Sequence, residues 1–180
     1  MSFDVAADAY DRFMGRYSVL LSPQLADLAG VSGGQQFMVD PAAGLAEMRR
    51  VTRTDGVVAV CVWDHAGQSP LSPFWDAACE LDPGVEGESR LGGTREGELA
   101  QMLETAGLRD VEETALLVSV EHPTFDEWWD PFTLGVGPAG AHVVALDSER
   151  RAQLRERCHA ALSDAPFVVT GRAWTARGLA

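Results

Sequence analysis

The sequence predicts an α/β fold, and three observations carry that prediction. Residues 57–63, VVAVCVW, are apolar at every position and too short to be a helix of ordinary length. Amphipathic stretches of helical spacing lie on both sides of that strand. Two further strand patterns, over 111–120 and 167–174, are separated from it and from each other by helical stretches. Continuous apolarity in 57–63 predicts cover on both faces, as in a parallel sheet with helices on each side.

The elements follow in order. Residues 4–16 predict a helix with Val5, Ala9, Phe13, Tyr10 and Met14 on one side. Ser22-Pro23 predicts the start of a second helix, which Gly30 and Ser32-Gly33-Gly34 end. Asp40 and Pro41 suit a helix start, and Ala42, Leu45, Met48 and Thr52 mark its face. Thr54-Asp55-Gly56 predicts a turn into the strand 57–63. A short helix over 70–80 carries Phe74 and Trp75, and 82–93 predicts a loop. Thr94 is the expected cap of a helix with Leu99, Met102, Leu103 and Ala106 on its face, closed by Gly107. After the strand 111–120, Phe125, Trp128 and Trp129 predict a short helix, and 135–140 a loop. Ser148 opens a helix with Leu154, Cys158, Ala161 and Leu162 at helical spacing, and 167–174 is the closing strand.

Composition bounds the function. A chain of 180 residues, 46% hydrophobic and 23% charged, makes one domain with a real core. No run approaches the ~20 apolar residues that span a bilayer. The first residues carry early acids and no apolar stretch, so no secretory signal is expected and the expected location is cytoplasmic. Cys61, Cys79 and Cys158 are odd in number, lack ligand spacing and read as reduced thiols. The net charge is −13, and residues 61–147 hold 17 acids against 3 bases. Such a surface repels phosphate backbones, which argues against nucleic acid as a partner. All 14 basic residues are Arg, which excludes a Schiff-base or phosphate-loop lysine. No G-x-S-x-G is present, and His122, His142 and His159 have no partners at metal-ligand spacing; they read as structural or exposed, and no metal is expected.

The stretch DPAAGLAEMRRVTRTDGVVAVCVWD, over 40–64, resembles the late part of class I S-adenosylmethionine-dependent methyltransferases. In that family a helix ending in Arg, a turn and a buried strand form the fifth step. Thr105-Ala106-Gly107-Leu108 fits the helix end before the sixth strand, and a seventh, antiparallel strand follows. The opening AADAYDRFMGRYS resembles the N-terminal cap of small-molecule members. The resemblance covers nearly the whole chain and is specific at 8–18 and 40–64. It implies a truncated Rossmann-like methyltransferase fold retaining the fifth, sixth and seventh strands. Residues 1–36 would be a helical cap, and 37–180 the C-terminal part of the α/β domain with a helical insertion near 122–163.

The resemblance stops where the family binds its cofactor. Between Gly34-Gln35-Gln36 and Phe37-Met38-Val39-Asp40 there is no strand ending in an acid, no Gly-rich loop and no acid for the ribose hydroxyls. Three to four βα steps, on the order of 70–90 residues, are missing at the usual size of such a unit. What remains of the cofactor set, by resemblance, is Tyr10, Arg16 and Tyr17, with Arg16 suited to the carboxylate of S-adenosylmethionine. Trp63, Asp64 and His65, at the carboxyl end of the strand, and Trp128 and Trp129 are the expected substrate side. No catalytic residue is assigned, because methyl transfer needs mainly alignment. Two functions stay open: a methyltransferase homologue for a small molecule, defective in cofactor binding, or a non-catalytic remnant that binds a partner or itself. Without a fourth strand, 57–63 is expected to be an apolar edge through which the chain self-associates.

Overall fold

The computed structural model of the protein describes residues 7–30, 41–162 and 164–180. The expected helix start at Asp40, the Ser32-Gly33-Gly34 turn and Val5 lie outside them. Three strands form one sheet: β1 (Val57–Trp63), β2 (Arg109–His122) and β3 (Phe167–Leu179). Their order is β1-β3-β2, and β3 is antiparallel to both neighbours. β1 and β2 therefore run parallel to each other with β3 between them.

Every pairing is antiparallel, where the apolar run of β1 predicted a parallel sheet. The run reports burial, not strand direction. Val58 and Val60 are buried on one face, while Trp63 packs into the core on the other. β2 and β3 outrun the predicted strands because they pair from Arg109↔Leu179 to His122↔Phe167, with a bulge at Asp110 and Val111. Their polar end residues hide that length from a hydropathy pattern.

The two faces of the sheet bury separate cores. One gathers Leu45, Val58, Val60, Leu99, Leu103, Leu108, Trp174 and Ala176. Leu45 comes from α3 (Pro41–Val51) and Leu99 and Leu103 from α5 (Glu98–Thr105). The other core is larger and aromatic. Its centre is Phe74 of α4 (Ser72–Leu81), stacked on Phe132 at 4.6 Å, with Trp128 and Trp129 of α6 (Phe125–Trp129) around them. Val118 and Val169 supply the sheet side, and Leu154 and Cys158 come from α8 (Ser148–Ala161). α8 starts at Asp147, whose carboxylate accepts from the Arg150 N–H at 2.8 Å.

Three local expectations are overturned. The N-terminal helix does not break near residue 16. α1 (Ala7–Tyr10), a π-helical segment (Asp11–Gly15) and α2 (Arg16–Ala29) run on through Pro23 to Gly30, which ends α2 at φ 66°. The stripe Tyr10, Phe13, Met14, Tyr17 and Leu21 is continuous across the expected break, and all five pack into the aromatic core. Burying it outweighs the roughly 3 kcal/mol an internal proline costs. The expected loop 135–140 instead opens α7 (Gly137–Ala145), with Pro138 in its first turn and Ala139 and Val143 buried. Gly140 is needed there: a Cβ would meet the Gly135 backbone carbon at 2.7 Å. Finally, Thr94 does not cap α5. Its buried hydroxyl donates to the Leu91 carbonyl at 2.8 Å, and Glu113 of β2 accepts from the Gly97 and Ala100 N–H groups at 2.5 and 2.8 Å. A distant carboxylate does what a local threonine was expected to do. Among the described residues, no helix is long and apolar enough to cross a membrane.

Candidate functional site

α2 crosses the sheet so that its first turn meets the carboxyl end of β2. This brings Arg16 and Tyr17 to His122, more than a hundred residues away in sequence. His122 is 1% exposed. Its Nδ1 lies 3.1 Å from Arg16 Nη1, and its Nε2 lies 3.2 Å from the Tyr17 hydroxyl. A guanidinium only donates, so Nδ1 accepts, and Nε2 carries the proton and donates to the phenol oxygen. Burial, helped by the Arg16 charge, pushes the imidazole down to about 4, so it is neutral at pH 7. Burial also raises the Tyr17 phenol above its usual range.

The surroundings are aromatic. His122 stacks on Phe167 with centroids 5.4 Å apart, and Trp63 meets the Tyr17 ring edge-on at 6.2 Å. Trp128, Pro131, Phe132, Pro70 and Leu71 close a cleft over Arg16, Tyr17 and His122 whose free volume is about 10 Å³. That is about the room one water needs. Gly171 of β3 explains how close the 67–71 turn comes: a Cβ there would meet the Pro70 ring at 2.5 Å and Trp63 at 3.1 Å.

The sequence-predicted residues are partly brought together. Arg16, Tyr17 and Trp128 line the cleft, and Trp63 touches it only through the Tyr17 ring; Tyr10 is half-buried beside the same core. Trp129 is buried against Phe74, Phe125 and Phe132. Asp64 is committed elsewhere. It is buried, and its Oδ2 takes Arg172 Nε at 2.7 Å, Arg172 Nη2 at 2.5 Å and the Gln68 N–H at 3.2 Å. Burial alone would raise this carboxyl, but the Arg172 and Gln68 hydrogen bonds and the Arg172 charge outweigh it and hold it below its usual range. Arg172 also lies over the Trp174 ring at 4.9 Å. His65 is pushed down to about 4 by burial, against the upward pull of Asp64, and its buried Nδ1 has no hydrogen-bond partner among the described residues.

His122, read from the sequence as structural or exposed, is buried and structural, but the sequence reading did not bring it to Arg16 and Tyr17. A signal was present: Val118, Val120 and His122 alternate along β2, so all three share the core-facing side. His142 and His159 do pack structurally, against Phe74 and Phe125 respectively. Among the described residues, no group of His, Cys, Asp and Glu could hold a metal ion. A second concavity, of 440 Å³ and open to solvent, runs between α6 and α8 over Phe125; Arg155 of α8 reaches across it to pair with Asp126, and Glu156 and His159 line the α8 side.

S-adenosylmethionine does not fit the cleft. Besides the His122 contact, Arg16 Nε and Nη2 donate to the Arg12 carbonyl at 3.2 and 2.8 Å, and Nη1 reaches the Glu127 carbonyl at 3.4 Å. Little donor capacity remains for a carboxylate, and the free volume holds one water rather than a nucleoside. Among the described residues, fold and site define an α/β domain with a three-stranded antiparallel sheet and a closed aromatic cleft. Comparison with family models gives no match, and comparison with curated proteins gives none.

Proposed function

We propose that this chain is a class I S-adenosylmethionine-dependent methyltransferase homologue for a small molecule, reduced to the last three strands of its sheet, and that in this form it does not hold the cofactor. The observation that supports the reading is the strand order. The resemblance expects the fifth strand to lie beside an antiparallel seventh strand that ends the chain, and β1 pairs antiparallel with the last strand, β3. Arg16, Tyr17 and His122 then act as a clamp that fastens the N-terminal helix to the end of β2. Trp128 and Phe132 form the aromatic wall that an apolar acceptor would have met.

Calorimetric titration with S-adenosylmethionine tests this. No binding is expected, because the groups that fix the adenosine and methionine ends are missing from the chain. A dissociation constant in the low micromolar range would overturn the reading.

A further inference from the structure

The free edge of β1 points to a partner. Asp64 N–H donates to the Arg172 carbonyl at 2.9 Å, and Ala180 N–H to the Gly56 carbonyl at 3.0 Å. With the register Val57↔Leu179 to Trp63↔Ala173, the even-numbered residues from 56 to 64 are therefore the hydrogen-bonded pairs with β3. The N–H and C=O groups of Val57, Ala59, Cys61 and Trp63 turn to the opposite side. There the Trp63 carbonyl takes the His65 N–H at 2.8 Å, and no other strand of the described sheet pairs with that edge. The edge carries no Lys, no Pro and no charge, the usual devices that discourage pairing.

We propose that a second copy of this chain covers that edge, its β1 antiparallel to the first and the two-fold axis passing at Val60. The register follows from the backbone. Centring on Val60 sets Val57 opposite Trp63 and Ala59 opposite Cys61, so the outward groups of Val57, Ala59 and Cys61 and the Trp63 N–H of both strands find partners, the Trp63 carbonyl being already held by His65. Moving the axis to Ala59 or Cys61 leaves one end of each strand unpaired. Each chain carries a net charge of −13, but none of it lies on 57–63, so screening by salt removes most of the opposition. The pairing is independent of the methyltransferase reading: one is read as mass, the other as ligand binding.

Light scattering over a dilution series tests it. The expected mass rises with concentration from 19.3 kDa toward twice that value, and rises further with added salt. Ala59→Pro removes an outward N–H and no bond to β3, so the variant should fold and associate more weakly, on the order of tenfold or more. Hydrogen exchange on the unmodified protein is the second readout. The amides of Ala59 and Cys61 should gain protection as the dimer forms, while those of Val58 and Val60 stay as they are. A monomer at every concentration, a folded Ala59→Pro variant that dimerises like the original, or Ala59 and Cys61 amides whose protection ignores concentration would each overturn the proposal.

Discussion

Replacing Arg172 by Met removes the partner of a buried carboxylate and keeps most of the side-chain volume. Asp64 is 2% exposed and would retain only the Gln68 N–H and the Trp174 indole among its charge-stabilising contacts. Breaking a fully buried pair in this way costs about 3–5 kcal/mol. The Arg172 side chain is 35% exposed, so solvent already screens part of the attraction, and about 2–3 kcal/mol is the better figure. For a chain of this size that lowers Tm by roughly 5–10 °C. The pH dependence identifies the cause. In the parent the Asp64 carboxyl lies below its ordinary value, so its stabilisation is present above about pH 4 and is lost as pH falls through the lower folded value. In Arg172→Met, burial is opposed only by the remaining Gln68 hydrogen bond and the Trp174 indole, and the carboxyl protonates at higher pH than in the parent. The deficit should therefore be largest near pH 7 and shrink on acidification, and Asp64→Asn in the Arg172→Met background should recover part of it. Urea unfolding at several pH values measures this. A deficit under about 0.5 kcal/mol at pH 7, or one that does not change with pH, would refute the reasoning.

Other perturbations follow from the same geometry. Phe74→Ala, at a fully buried ring stacked on Phe132, should cost about 3–5 kcal/mol by denaturant unfolding. Tyr17→Phe leaves the His122 Nε2 donor without its partner and should cost about 1–3 kcal/mol in the same assay. His65 and His122 both sit near 4 when folded against about 6.5 when unfolded, so the unfolded chain binds more protons between those values. Stability should be full above about pH 6.5 and decline toward pH 4, and His122→Gln should flatten that slope in thermal melts. Gly171→Ala should destabilise strongly, because the new methyl meets a rigid proline ring and Trp63 rather than a flexible chain end.

Much of the fold was legible because its signals are local. Residues 57–63 announce a strand by composition, and the helical spacing of Leu154 and Cys158 marks α8, though its cap is Asp147 rather than the expected Ser148. What escaped is set by distant contacts. The helix through Gly15 and Pro23 persists because its apolar stripe is buried against residues a hundred positions away. The Glu113 carboxylate that caps α5 comes from another element. α7 was hidden by its own Gly-Pro start, which reads as a turn until Pro138 is placed in a first helical turn. The site divides the same way. Arg16 and Tyr17 were visible in the cap sequence, whereas His122 lacked a motif and only strand alternation placed it inward. Asp64 looked available for chemistry, and nothing near it in sequence announced that Arg172 would occupy it.

The central claim is that the cleft at Arg16, Tyr17 and His122 is a closed structural contact in a methyltransferase-like chain that no longer takes its cofactor. Nitrogen–proton NMR spectra recorded during titration with S-adenosylmethionine test it at the site itself. The reporters are the backbone amides of Arg16, Tyr17 and His122 and the indole N–H groups of Trp63 and Trp128. The account predicts that none of these resonances moves as ligand is added. Saturable shifts confined to those residues would contradict it, for they would mean that the cleft opens and that the cofactor is held without the Gly-rich loop.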